Sequence, residues 1–228
     1  VLKRKEIKKK YKKIKLVSPK DLDWIKISEV YVSPGINLNI KSLSKSRNYK
    51  TPLYRDLELY SQINSNNKII AVTGTNGKST TVKLLGEILK SNGLGYYIGG
   101  NYGPPLMSVY NNKILFKYHV VELSSYQLES APSFKSFISI LLNISSDNQD
   151  RYKSLVDYAK TKEKIFNCKK TKYKIISVDD KFCRKILKKN KQLKNFIPFS
   201  INEKIKNGVS IIDQTIYDNY FKKKSYYF

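Results

Sequence analysis

Cysteine and histidine are scarce in this chain, and long apolar runs are missing. Its 228 residues hold two cysteines and one histidine. Cys168 and Cys183 stand too far apart in sequence for a metal or disulfide framework and suit a reducing compartment. The one histidine, His119, falls inside a strand pattern, which points to a structural role rather than a catalytic one. No stretch reaches the roughly 18 apolar residues that a membrane span needs, so no membrane insertion is expected. The N-terminus is basic without the apolar core of a signal peptide, and a cytoplasmic location is expected. Acidic residues are outnumbered 18 to 44 by Lys and Arg, for a formal charge of +26.

Such an excess invites a nucleic-acid reading. The basic residues are nearly all lysines, however, and they are spread along the whole chain. The runs Lys3 to Lys15 and Lys185 to Lys191 lie in no recognisable nucleic-acid module. Solvated lysine faces account for them, and no nucleic-acid partner is expected.

The most informative stretch is KIIAVTGTNGKSTTVKLLGEILKSNG, residues 68–93. Ile69 to Val72 read as a buried strand, and Val82, Leu84, Leu85, Ile88 and Leu89 as the apolar side of a helix. Between them lies Gly74-Thr75-Asn76-Gly77-Lys78-Ser79-Thr80. Glycines let backbone N–H groups turn inward, and a helix N-terminus adds partial positive charge, which together cradle phosphate. Lys78 can reach terminal phosphates and the Ser79 hydroxyl can ligate Mg²⁺. The loop departs from the strict phosphate-loop pattern, since Val72 stands where that pattern has its first glycine. Nucleotide binding by Gly74 to Thr80 is the expectation.

Along the rest of the chain, residues 1–20 read as lysine-rich helix or coil, and a strand near Val32 runs into the turn Ser33-Pro34-Gly35. Residues 37–67 read as a connection with a helical patch at Asp56 to Gln62. Strands are expected at Tyr96–Gly100, Lys113–Lys117 paired with Tyr118–Leu123, Ser136–Ile144, Tyr173–Val178 and near Phe196. Helices are expected over Tyr152–Asn167 and Asp180–Asn190, with short β pieces after Ser200. The alternation argues for a doubly wound α/β fold with a parallel sheet, preceded by a small N-terminal unit.

Ligands of open parallel sheets gather at the carboxyl ends of the strands. Glu122, Asn101, Asp147 and Asp150 all follow strand patterns, and a carboxylate there would supply the counter-charge of a phosphate-bound Mg²⁺. Lys162 shares the inward stripe of its helix with Leu155, Tyr158, Ala159 and Ile165. A lysine there either finds a partner or a chemical role, or its stem snorkels to the surface.

These motifs, in order, resemble the Mur ligase family. The matching pieces are VSPGI (32–36), DLEL (56–59), VTGTNGKST (72–80), GGNYG (99–103), ELSSYQLE (122–129), NISSDNQDRY (143–152), YAKTKEKIF (158–166) and VDD (178–180). Three of them, SPGI, GGN and ELSSYQLE, favour the branch that adds D-glutamate to UDP-N-acetylmuramoyl-L-alanine. The resemblance implies a partial Rossmann-like N-terminal unit over 1–62 and a parallel-sheet ATP-binding domain over 63–228. It also implies an ATP-dependent amide ligase of peptidoglycan synthesis, working through an acyl phosphate and acting as a monomer. Gly74 to Thr80 would hold the triphosphate, and Ser79 with Glu122 the first Mg²⁺. Asn101, Ser124 and Gln127 would contact the muramoyl substrate, and Gly35 its pyrophosphate. Lys162 matches the family's carbamylated lysine, a ligand of a second Mg²⁺. Catalysis would rest on Lys78, Glu122 and Lys162. Asn148 stands where the family has a histidine of the second metal and substrate site. The opening strand of the N-terminal unit and the C-terminal ligase domain have no counterpart, so an incomplete copy, inactive on its own, is expected. Two other readings stand beside this one: a Mur-type ligase for another amino acid, and a non-catalytic basic nucleotide- or nucleic-acid-binding protein.

Overall fold

The computed structural model describes residues 4–64, 66–111, 116–146, 152–190, 192, 195–221 and 226–227. The chain forms two compact units, 1–54 and 55–228. In the first, helix α1 (Arg4–Lys10) buries none of its residues, as its lysine content dictates. Strands β1 (Val30–Tyr31) and β2 (Leu53–Tyr54) pair in parallel, and a short helix α2 (Ser44–Asn48) lies between them in sequence. Trp24, Val32 and Leu43 form a small core there. The turn after Val32 closes through the Ile36 N–H on the Ser33 carbonyl, 3.0 Å away.

The second unit begins before the division at 62/63 that the sequence suggests. Helix α3 (Asp56–Ile63) is no connector: Leu57 and Tyr60, one turn apart, are fully buried in the main core. Glu58 is buried beside them and satisfied, accepting from the Ser133 N–H (2.9 Å) and the Gln62 amide (3.0 Å).

The strands of this unit are β3 (Lys68–Thr73), β4 (Tyr96–Gly100), β5 (Tyr118–Glu122), β6 (Ile138–Leu141), β7 (Tyr173–Ser177), β8 (Phe196–Ser200), β9 (Val209–Ile212), β10 (Thr215–Asp218) and β11 (Tyr226–Tyr227). Among the described residues they make one sheet in the order β11-β10-β9-β8-β7-β6-β3-β5-β4, parallel from β4 to β9 and antiparallel at the β9-β10-β11 edge. The α/β class with a parallel sheet is therefore as expected. Strand β5 pairs in parallel with β3 and β4, and of the strand expected at Lys113–Lys117, residues 113–115 lie outside the described residues.

Strand β3 is apolar on both faces because both faces are covered. Ile69 and Ala71 enter one core with Tyr60, Tyr158 and Ile176, while Ile70 and Val72 enter the other with Val82 and Leu89. Helix α4 (Lys78–Ser91) supplies that second layer and buries Val82, Gly86 and Leu89. Leu84 and Ile88, expected on its apolar side, are 59% and 58% exposed. They lie some 200–240° round the helix from Val82, so the stripe that faces the sheet excludes them. Helices α5 (Ser125–Leu128), α6 (Leu155–Glu163) and α7 (Lys181–Lys189) complete the unit. No helix among the described residues is long and apolar enough to cross a membrane.

Candidate functional site

The chain leaves β3 for β4 at the sheet edge, returns to β5, then crosses to β6 on the other side of β3. That reversal brings the carboxyl ends of β3, β4, β5 and β6 into one crevice, the usual ligand position in such sheets. The phosphate loop starts at the end of β3. Gly77 precedes α4 at φ +81°, a left-handed conformation that favours glycine, and no side chain caps the helix. The N–H groups of the first helical turn therefore face the crevice without a side-chain acceptor.

Glu122, at the end of β5, is 2% exposed. Its Oε2 accepts from the Ser79 hydroxyl at 2.7 Å, and its Oε1 from the Asn101 amide at 2.7 Å. The backbones are locked as well: the Asn101 N–H donates to the Glu122 carbonyl at 2.9 Å, and a Cβ at Gly100 would overlap that carbonyl oxygen. The first turn of α4 and the ends of β4 and β5 thus deliver a hydroxyl, an amide and a carboxylate to one point. Hard oxygen donors with a single carboxylate suit Mg²⁺, which fills its remaining positions with water and phosphate oxygens.

Two lysines flank the loop. Lys78 Nζ donates to the Thr75 carbonyl at 2.7 Å. Lys162 is 1% exposed, so its stem does not snorkel. Its Nζ donates to the Gly74 carbonyl at 2.8 Å and the Thr73 hydroxyl at 3.4 Å, and lies 4.6 Å from the Tyr158 ring centre. These carbonyl, hydroxyl and aromatic-face contacts satisfy an ammonium. The same Nζ-bearing side chain lines a cavity of about 240 Å³ with Lys78, Asn101, Ser124, Ser125, Tyr126 and Tyr158. The cavity gives a carboxylated form of the lysine somewhere to point.

Of the expected site residues, Gly74 to Thr80, Asn101, Glu122, Ser124 and Lys162 all gather at this crevice. Gln127 is placed differently. It is 3% exposed, and its carboxamide is held by the Ser124 N–H (3.1 Å), the Ser124 hydroxyl (3.2 Å) and Asp56 (3.3 Å), in a capping box on α5. It orients Ser124 rather than lining the cavity. Burial raises the Asp56 carboxyl above its ordinary range, and the Gln127 contact opposes that rise. Gly35 belongs to the first unit, and Asp147, Asn148 and Asp150 lie outside the described residues. His119 is buried, with Nδ1 2.6 Å from the Tyr60 hydroxyl, and takes no part in the crevice.

Asn143 follows β6 as Glu122 ends β5, and it has a role that its sequence neighbours do not announce. Its Oδ1 accepts from the Thr75 N–H (3.1 Å) and the Asn76 N–H (2.9 Å), and its Nδ2 donates to the Asn76 carbonyl (3.1 Å). Its place at a strand end was the available signal. The aromatic support of the crevice also went unread: Tyr126 stacks on Tyr152 at 6.2 Å, and Tyr152 meets Tyr158 at 5.2 Å.

Residues 72–225 match the family model described as the Mur ligase middle domain. The chain is 40% identical over 203 residues to UDP-N-acetylmuramoylalanine--D-glutamate ligase of Rickettsia prowazekii, covering 87% of this chain and 45% of that protein. It spans about half the length, or less, of the curated relatives it matches. Among solved structures, a UDP-N-acetylmuramoyl-L-alanyl-D-glutamate--2,6-diaminopimelate ligase superposes with a TM-score of 0.59 at 16% identity, covering 87% of this chain and 50% of that one. A Thermotoga maritima MurF ligase in complex with ADP superposes with a TM-score of 0.51 at 13% identity, covering 86% and 56%. At these identities the two structures show a common fold.

Proposed function

The chain belongs to the Mur ligase family, and from that premise we propose that it is the nucleotide-binding part of an ATP-dependent ligase that adds D-glutamate to UDP-N-acetylmuramoyl-L-alanine through an acyl phosphate. The observation that carries this reading is the convergence of Ser79, Asn101 and Glu122 beside an uncapped glycine loop and Lys78. A triphosphate needs that combination: N–H donors and a cation for its oxygens, with a carboxylate for its metal.

In this reading Gly74 to Thr80 hold ATP, with Lys78 on its terminal phosphates. Ser79 and Glu122 hold Mg²⁺, which when bound would neutralise charge developing on the transferred phosphoryl group. Lys162, as a carbamate, would serve a second Mg²⁺ with Asn148. Asn101 and Ser124 face the muramoyl substrate from the cavity wall, and Gln127 acts through Ser124. Gly35 is assigned to the substrate's pyrophosphate. The D-glutamate assignment follows the 40% identical relative. A cytoplasmic location and a monomeric state are part of the same proposal.

The test has two arms. MgATP is titrated into the wild-type chain and Lys78→Ala, and the thermal midpoint is read with UDP-N-acetylmuramoyl-L-alanine or with UDP-N-acetylmuramate. Tighter nucleotide binding by the wild type, and stabilisation by the alanyl compound alone, are expected. Equal titration curves for the two proteins would overturn the nucleotide assignment. Equal response to both sugars would overturn the substrate assignment.

A further inference from the structure

Asn143 makes more contacts to the phosphate loop than any role as a surface residue explains. Two consecutive N–H groups, those of Thr75 and Asn76, point at its single Oδ1, while its Nδ2 returns to the Asn76 carbonyl. The orientation of the carboxamide is fixed by its neighbours, because the reverse flip would set an NH₂ against two N–H donors. The Asn143 backbone takes part too, its carbonyl accepting from the Thr75 N–H at 3.0 Å.

This contact is anchored from behind. The next residue, Ile144, donates its N–H to Asp180 Oδ2 at 3.0 Å. The other oxygen of Asp180 caps α7 by accepting from Phe182 and Cys183 N–H groups at 2.9 and 2.8 Å. The Ser145 N–H donates to the Thr75 hydroxyl at 3.0 Å. The segment after β6 is thereby tied to α7 on one side and to the phosphate loop on the other.

We propose that Asn143 is a positioning residue for nucleotide: it holds the first half of the loop, Thr75 and Asn76, and leaves the N–H groups from Gly77 through the first turn of α4 as the donors that meet phosphate. The inference rests on the nucleotide reading above. A glycine loop without such a brace samples many conformations, and ordering them on binding weakens affinity. With the brace in place, the ordered shape exists before the ligand arrives. Two N–H groups that an anion-binding loop would otherwise present to phosphate are satisfied internally, which assigns the two halves of the loop to different tasks.

The experiment reads amide hydrogen exchange and ¹⁵N–¹H shifts of the loop, with and without MgADP, in the wild type, Asn143→Ala and Asn143→Asp. In the wild type, Thr75 and Asn76 amides should be protected before nucleotide is added and should shift little on its addition, while Lys78 and Ser79 amides shift. In Asn143→Ala that protection should vanish and MgADP affinity should fall at least about tenfold. Asn143→Asp keeps an acceptor in place, so protection of both amides should return. Thr75 and Asn76 shifting as far as Lys78 in the wild type would overturn the proposal, a result that needs no variant to fold. Loss of protection in the Asp variant, or wild-type affinity in the Ala variant, would overturn it too. If the wild type takes no nucleotide, the reading it rests on fails, and the positioning role with it. If the wild type binds and Asn143→Ala binds equally, the positioning role alone fails.

Discussion

The ammonium of Lys162 donates to the carbonyl of Gly74 across 2.8 Å, joining helix α6 to the first residue of the phosphate loop over a separation of 88 positions. Burial makes the bond consequential, because a buried polar group that loses its partner incurs a desolvation cost. Lys162→Met keeps most of the volume and leaves the Gly74 carbonyl without this donor. We expect it to cost about 1–3 kcal/mol in urea unfolding. With ¹³C-bicarbonate and Mg²⁺, the wild type should show a carbamate carbon signal that Lys162→Ala lacks. A wild-type spectrum without that signal would mean that the lysine stays an ammonium on Gly74 and Tyr158.

Lys78 points at the Thr75 carbonyl in the structure and is free to turn to a phosphate, since the loop beneath it is held by other groups. Removing a charge-assisted contact of that kind costs on the order of 2 kcal/mol. Lys78→Ala should therefore weaken MgATP binding by a few tens of fold in calorimetry, with little change in the unfolding midpoint. A large loss of stability with unchanged affinity would assign the side chain to the fold instead.

Glu122 is expected to act through the metal rather than through ATP itself. Glu122→Gln keeps the shape and the Asn101 or Ser79 contact, but it removes the only charge of the Ser79–Asn101–Glu122 group. In the wild type, adding Mg²⁺ should tighten ATP binding, and in Glu122→Gln that gain should largely disappear. Equal Mg²⁺ dependence in both proteins would show that the carboxylate is not a metal ligand.

The elements around the site were legible where local chemistry and tertiary demand agree. Strand β3 reads from its β-branched run, Gly77 from the strand-to-helix turn, and the inward stripe of α6 places Lys162 correctly at 1% exposure. Helix α4 shows where reading fails. Its apolar residues spread over about 160° of the helix surface, and only the sheet decides which of them are covered. Helix α3 was legible as a helical patch at Asp56 to Gln62, but its place in the core was not, since a short polar-flanked segment gives no sign that Leu57 and Tyr60 meet a core built from strands far along the chain. Asn143 and Gln127 were opaque because a carboxamide's role depends on which backbone groups the fold sets around it.

The α4 finding has a direct check. Leu89 is 8% exposed and packs with Val72 and Val82, whereas Leu84 is more than half exposed. Leu89→Ala should cost roughly 2–5 kcal/mol, as buried leucine truncations do. Leu84→Ala should stay within about 0.5 kcal/mol of the wild type. Similar losses for both would mean that the outer face of α4 is covered after all.

His119 gives the second unit a pH dependence whose sign can be worked out. Its ring lies buried between Tyr60 and Tyr97, with Nδ1 2.6 Å from the Tyr60 hydroxyl and the Tyr97 ring centre 5.7 Å away. Burial lowers its pKa below the ordinary value of 6.5, outweighing the Phe116 backbone contact that favours the charged form. The unfolded chain therefore takes up a proton near pH 6.5, at a pH where the folded chain does not. Stability from this group is complete above that point and falls as pH drops from about 6.5 toward the folded-state pKa, by at most about 1.4 kcal/mol per pH unit. Asp56 acts in the opposite sense, because its raised pKa adds stability as pH falls through its own titration. Urea unfolding at pH 7.5 and 5.5 reads the histidine effect, because His119→Gln removes it and leaves Asp56 unchanged. The wild type should lose stability between these pH values, and His119→Gln should lose less. An equal loss in both proteins would place the pH sensitivity outside His119.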